Sequence, residues 1–163
     1  MNNYLQLKQA DNGGKPYHYA ERKGKDSVAF ILKHANGMYG LIQEFKPPLQ
    51  EWLITAYGGS IDSHKSLTDI VLQEVQEEAG YLPYVKQIQF LGKHFVSTQM
   101  NQFCYLFLVP VESIQEMART TTDSGEMKSQ PVWLDKHQVL TTQCWKAKTI
   151  LLMSEYGKGI KYV

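Results

Sequence analysis

The strongest constraint in the sequence is a short acidic helix, predicted over residues 66–79 and ended by Gly80. Apolar residues recur there at helical spacing, and glycine is a usual residue directly after a helix. Glu74, Glu77 and Glu78 stand at positions i, i+3 and i+4, so their side chains share one face of the predicted helix. A fold that contains this helix must accommodate three neighbouring negative charges.

A helical wheel places these glutamates at the edge of the apolar face, because Asp69, Gln73 and Gln76 occupy the solvent side. Each pair of like charges at helix spacing costs about 0.2–0.5 kcal/mol even when it is exposed. Converging carboxylates are ligands that Mg²⁺ and Mn²⁺ prefer, and a bound dication relieves the repulsion. The helix therefore predicts a divalent-metal site, with a solvated acidic patch as the alternative.

The rest of the chain predicts one domain over residues 1–163, in which residues 1–20 form a flexible or dimer-contacting segment. β-Branched and aromatic runs indicate strands, and apolar periodicity indicates helices. The predicted strands cover residues 17–22, 26–34, 41–45, 51–57, 86–97, 102–111 and 131–135, and further helices cover 112–120 and 142–157. Strands with a central and a C-terminal helix predict a mixed sheet covered on both faces, an α/β sandwich.

Composition argues against several classes of partner. The 17 Lys and Arg residues nearly balance the 16 Asp and Glu residues, so we do not expect a nucleic-acid partner. The longest apolar run, residues 103–111, is too short to cross a bilayer, and the polar N-terminus does not resemble a signal peptide. We therefore expect no membrane partner. Two widely separated cysteines, Cys104 and Cys144, indicate buried thiols in a reducing cytoplasm.

Residues 59–81 resemble the Nudix box, which has the form G-x5-E-x7-R-E-U-x-E-E-x-G-U with U an aliphatic residue. The matching positions are Gly59, Glu74, Val75, Glu77, Glu78 and Gly80. The resemblance implies a Nudix-type α/β/α sandwich with a mixed central sheet. It also implies a hydrolase of nucleoside diphosphate derivatives that binds Mg²⁺ or Mn²⁺. The implied metal ligands are Glu74, Glu77, Glu78 and the backbone carbonyl of Gly58.

Three positions of the box depart from the family pattern: Tyr81 stands for its final aliphatic residue, and two charged positions are replaced. Lys65 replaces its first glutamate, and Gln73 replaces its arginine. In the family these two residues support the metal-binding glutamates through ion pairing. Because both are replaced together, neither charge is left without its partner. Changes in the groups that support metal ligands typically cost about 10–100-fold, so we expect weaker metal affinity or a rearranged support.

Residues 44–59 resemble a segment of the ADP-ribose pyrophosphatases, in which Lys46 stands for an arginine near the diphosphate. Further along the chain, Ser97 matches that subfamily, whereas Val96 replaces the proline that marks ADP-ribose specificity. This resemblance makes ADP-ribose or a similar nucleotide sugar the leading expectation for the substrate. It also implies a possible homodimer. Trp52 is a candidate partner for stacking on the base.

The resemblance implies hydrolysis by a water that a carboxylate deprotonates. The candidate catalytic residues are Glu78 and Glu126, and Glu126 is chosen by its Gly-Glu context in a polar loop, with Asp123 as the alternative. Another function stays open, a catalytically weak or inactive Nudix-fold protein that binds a nucleotide as a sensor. The replaced residues Lys65 and Gln73 favour that alternative, and the retained glutamates favour the enzyme.

Overall fold

The structure, a computed structural model, describes residues 5–22, 24, 26–61, 64–113, 119 and 128–157. Nine strands and three α-helices lie within these residues, together with a π-helical turn over Val75–Ala79 and a 3₁₀ turn over Val85–Gln87. The strands are β1 (Leu5–Asn12), β2 (Lys15–Arg22), β3 (Ser27–His34), β4 (Tyr39–Lys46), β5 (Glu51–Thr55), β6 (Tyr57–Ser60), β7 (Gln89–Ser97), β8 (Met100–Val111) and β9 (Gln130–Leu134). The helices are α1 (Leu67–Glu74), α2 (Lys136–Thr141) and α3 (Trp145–Tyr156).

The strands form one mixed sheet, as predicted. Its main path runs β1-β2-β8-β3-β4-β5, while β6 pairs with β3, β7 with β8 and β9 with β4. Strand β8 is parallel to β2 and β3, and the other pairings are antiparallel. The sheet therefore needs apolar cover on both faces, as sheets with parallel central strands generally do.

Strand β3 divides the apolar core between the two faces of the sheet. Its side chains alternate, so Val28, Phe30 and Leu32 pack in the core beneath α1. Ala29 and Ile31 pack in a second core, beneath α2 and α3. This three-layer arrangement confirms the α/β/α sandwich.

The acidic helix has two parts rather than the single α-helix that we predicted. Its α-helical part begins after Ser66, whose hydroxyl accepts a hydrogen bond from the Asp69 N–H. The last turn, Val75–Ala79, is π-helical and ends at Gly80, whose φ of 69° confirms the predicted stop. All three glutamates are half-buried, while Gln73 and Gln76 are exposed, which confirms the predicted sides of the helix.

Both ends of the chain differ from the predicted elements. Strand β1 was not predicted, yet it pairs along its whole length with β2, which contains the predicted strand 17–22. The C-terminal helix 142–157 is shorter than predicted and follows the unpredicted helix α2. Most of the predicted helix 112–120 lies outside the described residues. Among the residues that the structure describes, no helix has the length and apolar character needed to cross a bilayer.

Candidate active site

A cavity of about 720 Å³ opens beside the acidic helix. One wall consists of β6 and the three glutamates, and we call it the acidic wall. The other wall combines side chains from β2, β4 and the start of α3, among them Arg22, Lys46, Trp145 and Lys146, and we call it the basic wall. The cavity volume suits a small-molecule ligand, since such sites typically measure roughly 300–1,000 Å³.

Two adjacent glycines hold two of the carboxylates in the acidic wall. A Cβ atom on Gly59 would lie 1.8 Å from Oε1 of Glu74, so this carboxylate occupies the space that a side chain would fill. The Gly58 N–H donates to Oε2 of Glu78 over 3.3 Å, and a Cβ there would lie 2.5 Å from the carbonyl oxygen of Val28. Both glycines are therefore required by close approach to other atoms.

The third carboxylate is held by a hydrogen-bonded chain along the outer side of the helix. The Lys65 ammonium donates to Oε1 of Gln73 over 2.7 Å, and Nε2 of Gln73 donates to Oε1 of Glu77 over 2.9 Å. Lys65 and Gln73 are the two charged positions of the Nudix box that are replaced in this sequence. In this chain Lys65 supplies the positive charge that an arginine supplies in the Nudix box. The neutral amide of Gln73 connects Lys65 to Glu77 by hydrogen bonds. The expectation of a rearranged support agrees with this geometry.

The acidic wall offers carboxylates but no closed metal cage. In the described part of the chain, no three His, Cys, Asp or Glu side chains lie together in a way that could hold an ion. Glu74 and Glu78 are both seated against the glycine backbone and line the cavity, whereas Glu77 bonds to Gln73. Carboxylate oxygens are the donors that a hard dication takes, and Mg²⁺ usually needs only one or two of them besides waters and substrate phosphates. The residues present therefore fit Mg²⁺ or Mn²⁺.

The basic wall brings positive charge to the same cavity as the acids. The Lys46 ammonium lies 2.6 Å from Oε1 of Glu44, and the Arg22 guanidinium donates to the Ser60 hydroxyl. Lys146 contributes from the first turn of α3. Of these cations, sequence reasoning identified only Lys46, because a lone arginine at the end of β2 and a lysine in an amphipathic helix carry no motif.

A hydrogen bond at Ala56, the residue between β5 and β6, connects the residue before α3 to the acidic wall. The Ala56 N–H donates to Sγ of Cys144 over 3.4 Å. The next residue, Trp145, lines the cavity and is 40% exposed. In the sequence, the only sign of this position is an aromatic residue followed by a lysine at the start of an amphipathic helix. Such a pattern is equally typical of a helix that packs on the core.

Two predicted site residues, Trp52 and Ser97, are not among the residues that line the cavity. Trp52 is 50% exposed and packs on Phe45 with ring centroids 5.8 Å apart, on the face of the sheet opposite to Lys46. Ser97 ends β7 and accepts a hydrogen bond from the Gln99 N–H over 3.2 Å, within the turn to β8. The predicted catalytic Glu126, like its alternative Asp123, lies outside the described residues.

Comparison with known proteins agrees with this geometry. The family model of the NUDIX domain matches residues 24–152. Among solved structures, the crystal structure of an ADP compounds hydrolase superposes with a TM-score of 0.70 at 14% sequence identity, covering 95% of this chain and 86% of that chain. At that identity the likeness concerns the fold alone. No curated protein sequence matches the chain significantly.

Proposed function

The chain belongs to the NUDIX domain family, and on this premise we propose that it is a Mg²⁺-dependent pyrophosphohydrolase of nucleoside diphosphate derivatives. ADP-ribose or a similar nucleotide sugar is the proposed substrate. The observation that carries this proposal is the pair of carboxylates, Glu74 and Glu78, seated on Gly58 and Gly59 at the edge of a polar cavity.

The metal would be held by Glu74 and Glu78, assisted by Glu77 and the carbonyl of Gly58. Once bound, such an ion neutralises the charge of the phosphoryl oxygens and activates a water molecule for attack. The chain itself contributes orientation. Gly58 fixes Glu78 through its N–H, and Gly59 leaves room for the carboxylate of Glu74. We propose that Glu78, or Glu126 from outside the described residues, accepts the proton of the attacking water.

The basic wall would bind the two phosphates. Arg22, Lys46 and Lys146 line the same cavity as the acids, so a diphosphate bound in it could form charge-assisted hydrogen bonds with them. The segment around Lys46 resembles the ADP-ribose pyrophosphatases, and the superposed solved structure carries the name of an ADP compounds hydrolase. Both observations support a substrate with an ADP portion.

Cellular setting and assembly follow the same reasoning. We propose a cytoplasmic protein, because Cys104 and Cys144 are both free thiols and Cys104 is buried. A homodimer is proposed from the resemblance to the ADP-ribose branch. Ser97 and Trp52 are not included in the proposed site, since neither lines the cavity.

The decisive experiment incubates the purified protein with ADP-ribose, other nucleotide sugars, dinucleotides and nucleoside triphosphates. Each reaction contains Mg²⁺, Mn²⁺ or a chelator. For ADP-ribose we expect AMP and ribose 5-phosphate in the presence of a cation and no product with the chelator. Separation of the products by ion-exchange chromatography identifies the bond that is cleaved.

A second candidate function is nucleotide binding without cleavage. The replacement of an ion pair by the Lys65–Gln73–Glu77 chain favours it, because a neutral amide supports a metal ligand less strongly than a guanidinium does. Calorimetry separates the two candidates. Nucleotide binding with no product under any cation would decide for the binding protein and against the hydrolase.

A further inference from the structure

We infer that Trp145 is the stacking platform for the nucleobase of the ligand and that Lys146 binds the adjoining phosphate. This inference rests on the proposed function, since it assumes that the cavity takes a nucleoside diphosphate. It identifies the end of the cavity at which the base lies. Neither the Nudix box, residues 59–81, nor the segment 44–59 that resembles the ADP-ribose pyrophosphatases includes Trp145, so these motifs do not supply the assignment.

The first step concerns the distance between α3 and the acids. Cys144 is bonded to the N–H of Ala56, and Glu78 is bonded to the N–H of Gly58. Ala56 lies between β5 and β6, and Gly58 is the second residue of β6. Two residues of extended backbone, about 7 Å, therefore separate the two N–H groups that hold Cys144 and Glu78. A phosphate and a ribose span a similar distance. A diphosphate at Glu78 would therefore place its base near the start of α3.

The second step concerns the rigidity of the platform. Ala147, Ile150 and Leu151 of α3 are buried in the core beneath the sheet, so the helix is fixed independently of its first residue. Trp145 remains 40% exposed and lines the cavity. A large, rigid aromatic side chain that the core does not cover is suited to stacking on a base, and stacking requires only a π face.

The third step distinguishes this tryptophan from the others. Trp133 donates its Nε1–H to the hydroxyl of Tyr81 over 3.1 Å and packs edge-to-face on that ring. Trp52 packs on Phe45 and lies outside the cavity lining. Of the three tryptophans in the chain, all of which the structure describes, Trp145 is the one in the cavity lining. Its neighbour Lys146 adds a positive charge to the same wall.

The test compares Trp145→Leu with Trp52→Leu, which removes an exposed tryptophan from outside the cavity. ADP is the probe, and binding is measured by calorimetry with and without Mg²⁺. Loss of one stacking partner should weaken ADP binding by about tenfold in Trp145→Leu, while Trp145→Phe keeps most of the affinity. Binding of inorganic pyrophosphate, which has no base, should stay unchanged. Trp52→Leu should bind both ligands as the wild-type protein does.

Fluorescence gives an independent signal. ADP should quench the tryptophan emission of the wild-type protein and of Trp52→Leu, and this quenching should disappear in Trp145→Leu. Equal ADP affinity in Trp145→Leu and wild type would overturn the inference and leave the proposed function in place. An equal loss of pyrophosphate binding would also overturn it. A wild-type protein that binds neither nucleotides nor pyrophosphate would contradict the proposed function itself.

Discussion

The two walls of the cavity are built in different ways. The acidic wall comes from one contiguous stretch, in which Gly58 and Gly59 precede a helix that carries three glutamates. The basic wall collects its cations and its tryptophan from β2, β4 and α3, which are far apart in the sequence. The residues of the first wall can therefore be recognised from local spacing in the sequence, whereas those of the second come together only in the complete fold.

This difference has a chemical counterpart. A metal ligand must be placed to within a fraction of an ångström, and the acidic wall does this with backbone contacts at two glycines. Phosphate binding by a lysine is less demanding, because an ammonium acts as a point charge at the end of a flexible chain. Changes in the acidic wall should accordingly lower turnover, and changes in the basic wall should lower affinity for the ligand.

The largest effect is expected from Glu78→Gln. The amide keeps the shape of the side chain but cannot supply a charged oxygen to a dication. Since groups that merely support a metal ligand are worth about 10–100-fold, loss of the ligand itself should reduce kcat/KM by more than about 100-fold. Steady-state hydrolysis of ADP-ribose at saturating Mg²⁺ measures this loss. Asp69→Asn, on the exposed side of the same helix, is the control. Near-normal turnover in Glu78→Gln would remove Glu78 from the site.

A somewhat smaller loss is expected from Gly59→Ala. The added methyl would overlap Oε1, Cδ and Cγ of Glu74, at 1.8, 2.3 and 2.8 Å, so this side chain must rotate away from Gly59 while the backbone stays in place. The variant should therefore melt close to the wild-type temperature and lose about 10–100-fold in activity through a displaced ligand. In a Glu74→Ala background the same substitution should have little further effect. Additive losses in this double-mutant cycle would contradict the contact.

These two walls also explain which features the sequence could predict. The strand and helix patterns, the stop at Gly80 and the burial of the glutamates depend on neighbouring residues, and the structure agrees with them. The π-helical turn and the pairing of β1 depend on tertiary packing that local patterns do not record. For the same reason no local pattern marks Trp145 as a site residue, although it lines the cavity.

Trp52 shows how strand register decides which side chains reach the cavity. It was predicted as a candidate for stacking on the base. Paired residues on β4 and β5 share one face of the sheet, and successive pairs alternate between the two faces. Trp52 pairs with Phe45, so it lies on the other face from Lys46. A one-residue offset in a strand therefore decides whether a side chain reaches the cavity. Sequence proximity carries no such information until the register is known.

A moderate effect is expected where the acidic wall departs from its family pattern. The double variant Lys65→Glu with Gln73→Arg restores the ion pair of the Nudix box in place of the chain from Lys65 to Glu77. We expect affinity for Mn²⁺ to rise by about tenfold, and the Mg²⁺ concentration for half-maximal rate to fall in parallel. Calorimetry and rate measurements check both. Gln73→Ala alone should shift them in the opposite direction.

The matched control for this prediction is Gln76→Ala, an exposed glutamine on the same helix. It should leave metal affinity unchanged. If Gln73→Ala also left metal affinity unchanged, the hydrogen-bonded chain to Glu77 would have no part in metal binding.

The smallest effect is expected at the far end of α3, where a network anchors the helix that forms part of the basic wall. Glu155 accepts hydrogen bonds from Lys33 over 2.9 Å, Tyr39 over 2.8 Å and Lys136 over 3.2 Å. These donors, Lys33 first, lower the pKa of Glu155 from 4.5 to about 2. A carboxyl with a lowered pKa stabilises the folded state above its unfolded pKa, and this contribution is lost as the pH falls through the folded value.

Glu155→Gln should therefore lower the free energy of unfolding by about 1–2 kcal/mol near neutral pH. The difference from wild type should shrink as the pH falls from 4.5 towards about 2, because over that range the unfolded wild-type chain binds a proton at Glu155 that the folded protein accepts only near its lower pKa. Urea unfolding at several pH values measures this trend, and turnover should stay close to normal since Ala147 and Ile150 still hold α3 in the core. A large loss of activity would instead mean that the position of Trp145 and Lys146 depends on this distant network. In that case the hydrogen bonds of Glu155 would be as necessary for the position of the basic wall as Gly58 and Gly59 are for the position of the glutamates.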